Sequence, residues 1–141
     1  MQLWSEACTA MSMHRMLIVD DEASIRFAMS DYFQVHGYLV DCAGSVEEAE
    51  SLLRKGPYAV VIADLHLKGM GGMSGIEVVK SVYELHPGTP VIVFSAYRSP
   101  EIEAELVQHG VGAFVRKPKP LPDLAQIVIG MTGADRISFS S

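Results

Sequence analysis

Residues 16–37 read MLIVDDEASIRFAMSDYFQVHG, and this stretch decides the fold. Its first four residues are an unbroken apolar run, the pattern of a short strand buried on both faces. Asp20, Asp21 and Glu22 then break the run with charge. From Ala23 the period changes: Ile25, Met29 and Phe33 recur at every fourth residue, which lines one face of a helix, and Gly37 stands where that helix should stop. A buried strand followed by an amphipathic helix is one βα unit, the connection that parallel strands require.

The same unit repeats outward from this stretch. Strands are predicted over residues 16–19, 39–42, 59–63, 91–94 and 113–115, each short, apolar and followed by polar residues. The first helix is predicted over 23–36. Ser45 and Glu48 form a capping box opening a second, with Ala49, Leu52 and Leu53 inward until Gly56 and Pro57 end it. Ser74 and Glu77 repeat that device for a third helix. Ser99 and Pro100 read as N-cap and first residue of a fourth, carrying Ile102 and Leu106 inward before Gly110. A fifth begins near Pro122, its core residues Leu124, Ile127, Val128 and Met131. The expected architecture is α/β: a (βα)5 doubly wound, five-stranded parallel sheet. Residues 1–13 read as an N-terminal extension without pattern, 14–131 as the domain, and 132–141 as a tail.

Bulk properties narrow the functional classes. The chain has 141 residues, enough to bury one core without disulfides or structural metals. A formal charge of −6 offers no basic face for nucleic acid, and the apolar runs are too short to span a bilayer or serve as a signal peptide. A cytoplasmic protein with neither direct nucleic-acid binding nor membrane attachment is expected. Cys8 and Cys42 lack the spacing of a disulfide framework or zinc site. The scattered histidines His14, His36, His86 and His109 read as surface residues.

In an open parallel sheet, ligands bind beyond the carboxyl ends of the strands, so the residues just after each apolar run carry the chemistry. Those are Asp20, Asp21 and Glu22 after the first, Asp64 after the third, Ser95 after the fourth, and Arg116, Lys117 and Pro118 after the fifth. Clustered carboxylates repel; they either raise a pKa or bind a hard cation, and Mg2+ suits oxygen donors while keeping positions open for a phosphate donor. Asp64 is then the candidate nucleophile, Lys117 the ammonium that neutralises phosphoryl oxygens, and Ser95 a hydroxyl donor to them. Alone, each residue is unremarkable, since paired aspartates also make turns and a lone lysine is usually solvated. Their joint order along four strand ends is what points to one pocket.

The segments LIVDDE (17–22), VVIADL (60–65), VIVFSA (91–96) and GAFVRKP (112–118) resemble the successive signatures of bacterial two-component response-regulator receiver domains. The resemblance spans about residues 16–131. It implies the flavodoxin-like strand order 2-1-3-4-5. It also implies Asp64 as phosphoacceptor with Mg2+ as cofactor, held by Asp20, Asp21 and Asp64 together with the main-chain carbonyl of His66, Asp21 being the favoured direct ligand. Ser95 and Lys117 fall on the family's hydroxyl and lysine positions, Pro118 completes its Lys-Pro pair, and Phe114 falls on its switching aromatic. The implied function is Mg-dependent phosphoryl transfer from a sensor histidine kinase or phosphotransfer protein to Asp64. That transfer switches the face formed by the fourth helix, fifth strand and fifth helix toward an unknown output partner. Homodimerisation through that region is left open. Such a domain is a phosphoacceptor with only self-phosphorylation and autodephosphorylation chemistry, not an enzyme.

The sequence departs from that family in one loop. Leu67 and Lys68 stand where a Met-Pro pair is usual, and residues 69–74 make the turn about three residues longer than is common. Its Gly71 and Gly72, with Ser74 and the adjoining Gly75, lack the Lys-Ser or Lys-Thr pair of a nucleotide-binding loop and read as a flexible connection. His66 and Tyr97, each two residues past a site residue, are candidates for setting phosphate lifetime. Three other readings compete: an interaction module indifferent to phosphate, a flavodoxin-like electron carrier, and a metal hydrolase. The acidic rim argues against the electron carrier.

Overall fold

The computed structural model describes residues 14–67, 75–97 and 99–132. Among these, five strands alternate with five helices: β1 (Arg15–Val19), α1 (Ala23–Val35), β2 (Leu39–Ala43), α2 (Val46–Lys55), β3 (Val60–Ala63), α3 (Gly75–Leu85), β4 (Val91–Ser95), α4 (Pro100–Val107), β5 (Val111–Arg116) and α5 (Leu121–Thr132). The strands form one sheet in the order β2-β1-β3-β4-β5, every neighbouring pair parallel. The chain reverses its direction across the sheet between β1 and β3, which opens a crevice at their carboxyl ends.

Side chains on a strand point alternately to opposite faces, and here both faces are covered. Met16, Ile18, Val60, Ile62, Ile92 and Phe94 point toward α1 and α5, where they meet Met29, Phe33, Leu124 and Val128. Leu17, Val19, Val61, Ala63, Val91 and Val93 point the other way, onto Ala49 and Leu53 of α2, Val78, Val79 and Val82 of α3, and Leu106 of α4. This two-sided burial is why the strands read as continuous apolar runs rather than alternating ones. α4 is held least, with Leu106 its one fully buried residue.

β5 carries a register shift: Val91 faces Val111, but Ile92 faces Ala113, so Gly112 is the extra residue of a bulge. The extra residue inverts the alternation. Phe114 therefore packs beside Val93 in the α2–α3–α4 core, whereas Ala113 and Val115 join the α1–α5 core.

The capping devices are in place where they are described. Ser45 Oγ accepts from the Glu48 amide at 3.2 Å, Glu48 Oε1 accepts from the Gly44 amide at 2.7 Å, and Ser99 Oγ accepts from the Ile102 amide at 3.4 Å. Ser74, the 69–74 loop and the N-terminal extension lie outside the described residues. Two readings need correction. Thr132, assigned to the tail, ends α5, and its Oγ1 lies 2.9 Å from Tyr38 Oη. His86, assigned to the surface, is half-buried and its Nε2 lies 2.7 Å from the Leu53 carbonyl, tying α3 to α2. A lone histidine at a helix end gives no periodic signal of such a contact.

Candidate functional site

The carboxyl ends of β1, β3, β4 and β5 bring the predicted residues together. Asp20 is 3% exposed, Asp64 7% and Ser95 2%, values that charged or polar side chains reach only when partnered. Lys117 supplies the partner: its Nζ donates to Asp20 Oδ2 at 2.6 Å and to Asp64 Oδ2 at 2.9 Å. The remaining oxygens are also engaged, Asp20 Oδ1 accepting from the Glu22 amide and Asp64 Oδ1 from the His66 amide, both at 3.0 Å. Among the described residues, no buried side-chain nitrogen or oxygen is left without a partner.

Backbone contacts fix where these groups stand. The Asp64 amide donates to the Val19 carbonyl at 2.9 Å, and the Asp20 amide to the Ala43 carbonyl at 3.0 Å, so each aspartate begins where a ladder ends. The Lys117 amide donates to the Ser95 carbonyl at 3.0 Å, placing lysine and hydroxyl side by side. Ser95 Oγ accepts from the Tyr97 amide at 3.2 Å. The Lys117–Pro118 peptide is cis.

Burial is the largest single influence on the Lys117 ammonium and pulls its pKa down. The hydrogen bonds and charges of Asp20 and Asp64 together outweigh it and hold the pKa above the usual lysine value. Lys117 is thus a fixed cation across the physiological range. Its Nζ also lies 5.5 Å from the centre of the Phe94 ring.

Asp21 is half-buried beside this pair, and ligand oxygens of Asp20, Asp21 and Asp64 all lie within 4.8 Å of one another. Three carboxylates against one ammonium leave an excess of negative charge, and the donors are all hard oxygen atoms, which fits a divalent cation such as Mg2+. The acidic triad could hold a metal ion. A cavity of about 440 Å³ opens over it, lined by Asp21, Glu22, Asp64, His66, Ser95, Ala96, Tyr97 and Lys117. The His66 and Tyr97 rings meet at its mouth, centroids 5.9 Å apart. Phe114 is half-buried on the face that Val93 shares.

Comparison with known proteins resolves what this arrangement is. Residues 16–129 match the model of the response regulator receiver domain. The chain belongs to that family. The receiver domain is 33% identical to the regulatory protein AtoC of Escherichia coli over 117 residues, covering 83% of this chain and 25% of AtoC. It therefore spans about a quarter of that relative's length. Among solved structures, it resembles a receiver domain protein from Methanospirillum hungatei with a TM-score of 0.77 and 25% identity, covering 86% of this chain and 96% of that one. It also resembles the response regulator TrrA of Thermotoga maritima, solved in complex with Mg2+ and BeF, at a TM-score of 0.70 and 29% identity, covering 83% and 97%. The fold class and strand order expected from sequence agree with the sheet observed. No helix among the described residues is long and apolar enough to cross a membrane.

Two residues at this site escaped the sequence reading. Arg26, in the second turn of α1, donates from Nη1 to the Asp20 carbonyl at 2.7 Å. Gly75, read as part of a flexible loop, opens α3 and packs on the backbone of the site. Its amide donates to the Leu65 carbonyl at 2.9 Å, and a Cβ there would overlap the Asp64 carbonyl and stand 2.5 Å from Leu65 Cα. A glycine directly after a predicted capping serine was the available signal, since nothing in a capping box itself requires one.

Proposed function

We propose that this receiver domain accepts a phosphoryl group on Asp64 and signals through α4, β5 and α5. One observation carries the reading: a single half-buried ammonium, Lys117, bridges Asp20 and Asp64 at the mouth of a cavity that also holds Asp21 and Ser95. Asp20, Asp21, Asp64 and the main-chain carbonyl of His66 would hold Mg2+, which when bound neutralises charge on phosphoryl oxygens. An Asp64 oxygen forms the new bond to phosphorus, and the bond from phosphorus to the donor nitrogen breaks. The imidazole of a histidine kinase or phosphotransfer protein leaves and takes a proton. Lys117 moves its charge from the carboxylate to the phosphoryl oxygens, and Ser95 Oγ donates to one of them. A donor of this kind places the chain in the cytoplasm.

Drawing Ser95 toward the phosphoryl group frees space on the face it shares with Phe114, and α4, with Leu106 its one fully buried residue, is the element best able to follow. An output partner reads the altered face. Incubation with a small acyl phosphate and Mg2+, followed by intact-mass measurement, tests the acceptor. The wild type should gain one phosphoryl group and Asp64→Asn none; labelling of that variant at the wild-type rate would sink the assignment.

A further inference from the structure

Resting on that reading, we infer that Arg26 is a positioning residue of the metal site, acting through the peptide between Asp20 and Asp21. Each polar atom of Asp20 is committed: its amide to β2 through Ala43, Oδ1 to the Glu22 amide, Oδ2 to Lys117, and its carbonyl to the Arg26 guanidinium. The last of these is charge-assisted and short, at 2.7 Å. A peptide unit is planar, so tying the Asp20 carbonyl to α1 fixes the plane that carries the Asp21 nitrogen and Cα. Asp21 follows this peptide directly, two residues before α1 begins. The point from which its side chain leaves the backbone toward the triad is thus held from α1, seven positions along the chain from the last strand residue.

The neighbouring strand end leaves the passage open. Gly44, just past β2, has no side chain where a Cβ would stand 2.9 Å from Arg26 Nη1 and 3.3 Å from its Cζ. The Gly44 amide is itself held by Glu48 Oε1, so the backbone there has little freedom to withdraw. Arg26 and Gly44 are one device built from two elements, and no phosphate or metal contact is asked of either.

The test titrates Mg2+ calorimetrically into the full chain as wild type, Arg26→Gln, Arg26→Lys and Gly44→Ala. Outer partners of metal ligands typically set affinity by about tenfold or more. Arg26→Gln and Gly44→Ala should weaken Mg2+ by about that factor, with Arg26→Lys recovering part of the loss. At saturating Mg2+, labelling by the acyl phosphate should return to near the wild-type rate, which separates positioning from chemistry. In metal-free protein, the amides of Asp21 and Glu22 should exchange hydrogen faster in both non-conservative variants. Wild-type affinity and exchange in these two variants, with only the melting temperature lowered, would overturn the inference and leave Asp64 as acceptor. A wild type that takes neither Mg2+ nor phosphate would overturn the acceptor reading and this inference with it.

Discussion

The two ends of the sheet each carry a buried or half-buried cation, but they are built to opposite purposes. At the amino end, Arg15 Nη2 pairs with Asp41 Oδ2 at 3.1 Å and its Cζ lies 4.8 Å from the Tyr58 ring centre, while Tyr58 Oη donates to the same carboxylate oxygen at 2.6 Å. One cation meets one anion, and their side chains are 34% and 40% exposed. At the carboxyl end, Lys117 meets Asp20 and Asp64 with side chains 15%, 4% and 9% exposed, and Asp21 adds a third carboxylate. The first cluster is neutral and complete. The second is short of positive charge, an imbalance that a bound divalent cation would offset.

The comparison breaks most visibly if the cations are removed. Lys117→Met leaves two buried carboxylates facing each other and should cost about 3 kcal/mol of unfolding free energy, most of it recovered when Mg2+ is added. Arg15→Met, at a pair open to solvent, should cost about 1 kcal/mol or less and be indifferent to Mg2+. Denaturant titrations with and without the metal distinguish them. Equal responses to Mg2+ at both ends would erase the contrast.

Glycine substitutions probe the backbone in the same way. Gly75→Ala drives a methyl group into the Asp64–Leu65 backbone, which cannot yield like a side chain, and should cost about 2 kcal/mol. Gly88→Ala, near the amino end of β4 with nothing within 4 Å of the added Cβ, should stay within about 0.5 kcal/mol of wild type.

The smallest effect belongs to the neutral cluster. Tyr58→Phe removes one hydrogen bond to Asp41 and should cost about 1 kcal/mol at neutral pH. Burial, followed by the hydrogen bond and charge of Asp41, raises the Tyr58 pKa well above the ordinary 10.0. A raised folded pKa contributes stability that is whole below the unfolded value and is lost as pH climbs through the folded one. The advantage of wild type over Tyr58→Phe should therefore be level up to about pH 10 and shrink above it. An advantage that instead grows with alkali would contradict this placement.

Much of this architecture was legible because burial leaves a periodic trace. Apolar runs marked strands covered on both faces, the four-residue spacing of Ile25, Met29 and Phe33 marked α1, and the polar residue after each run marked the rim. Contacts made by single residues leave no period. Arg26 reads as one more charge on a helix, Gly75 as one more loop glycine, and His86 as one more surface histidine. What each does depends on a backbone atom distant in sequence: the Asp20 carbonyl, the Asp64–Leu65 backbone and the Leu53 carbonyl. The rim was recoverable because its members are all chemically reactive types. The parts that hold it were not, because their role lies in geometry.

The bulge at Gly112 has a consequence for anyone who edits this chain. β5 is one residue longer than the register it fills, and the bulge absorbs the surplus so that Phe114 still lies beside Val93 and Arg116 still pairs with Ser95. Removing that single residue would leave an apolar strand of nearly the same composition, able to complete the same sheet. It would also keep Phe114 beside Val93 and Lys117 at its place on the rim, because Val111 and Ala113 would then pair with Val91 and Ile92 without interruption. Length changes in β5 are therefore governed by place: loss of the bulged residue leaves each side chain in its layer, whereas a residue inserted between Ala113 and Arg116 would send those after it to the opposite one.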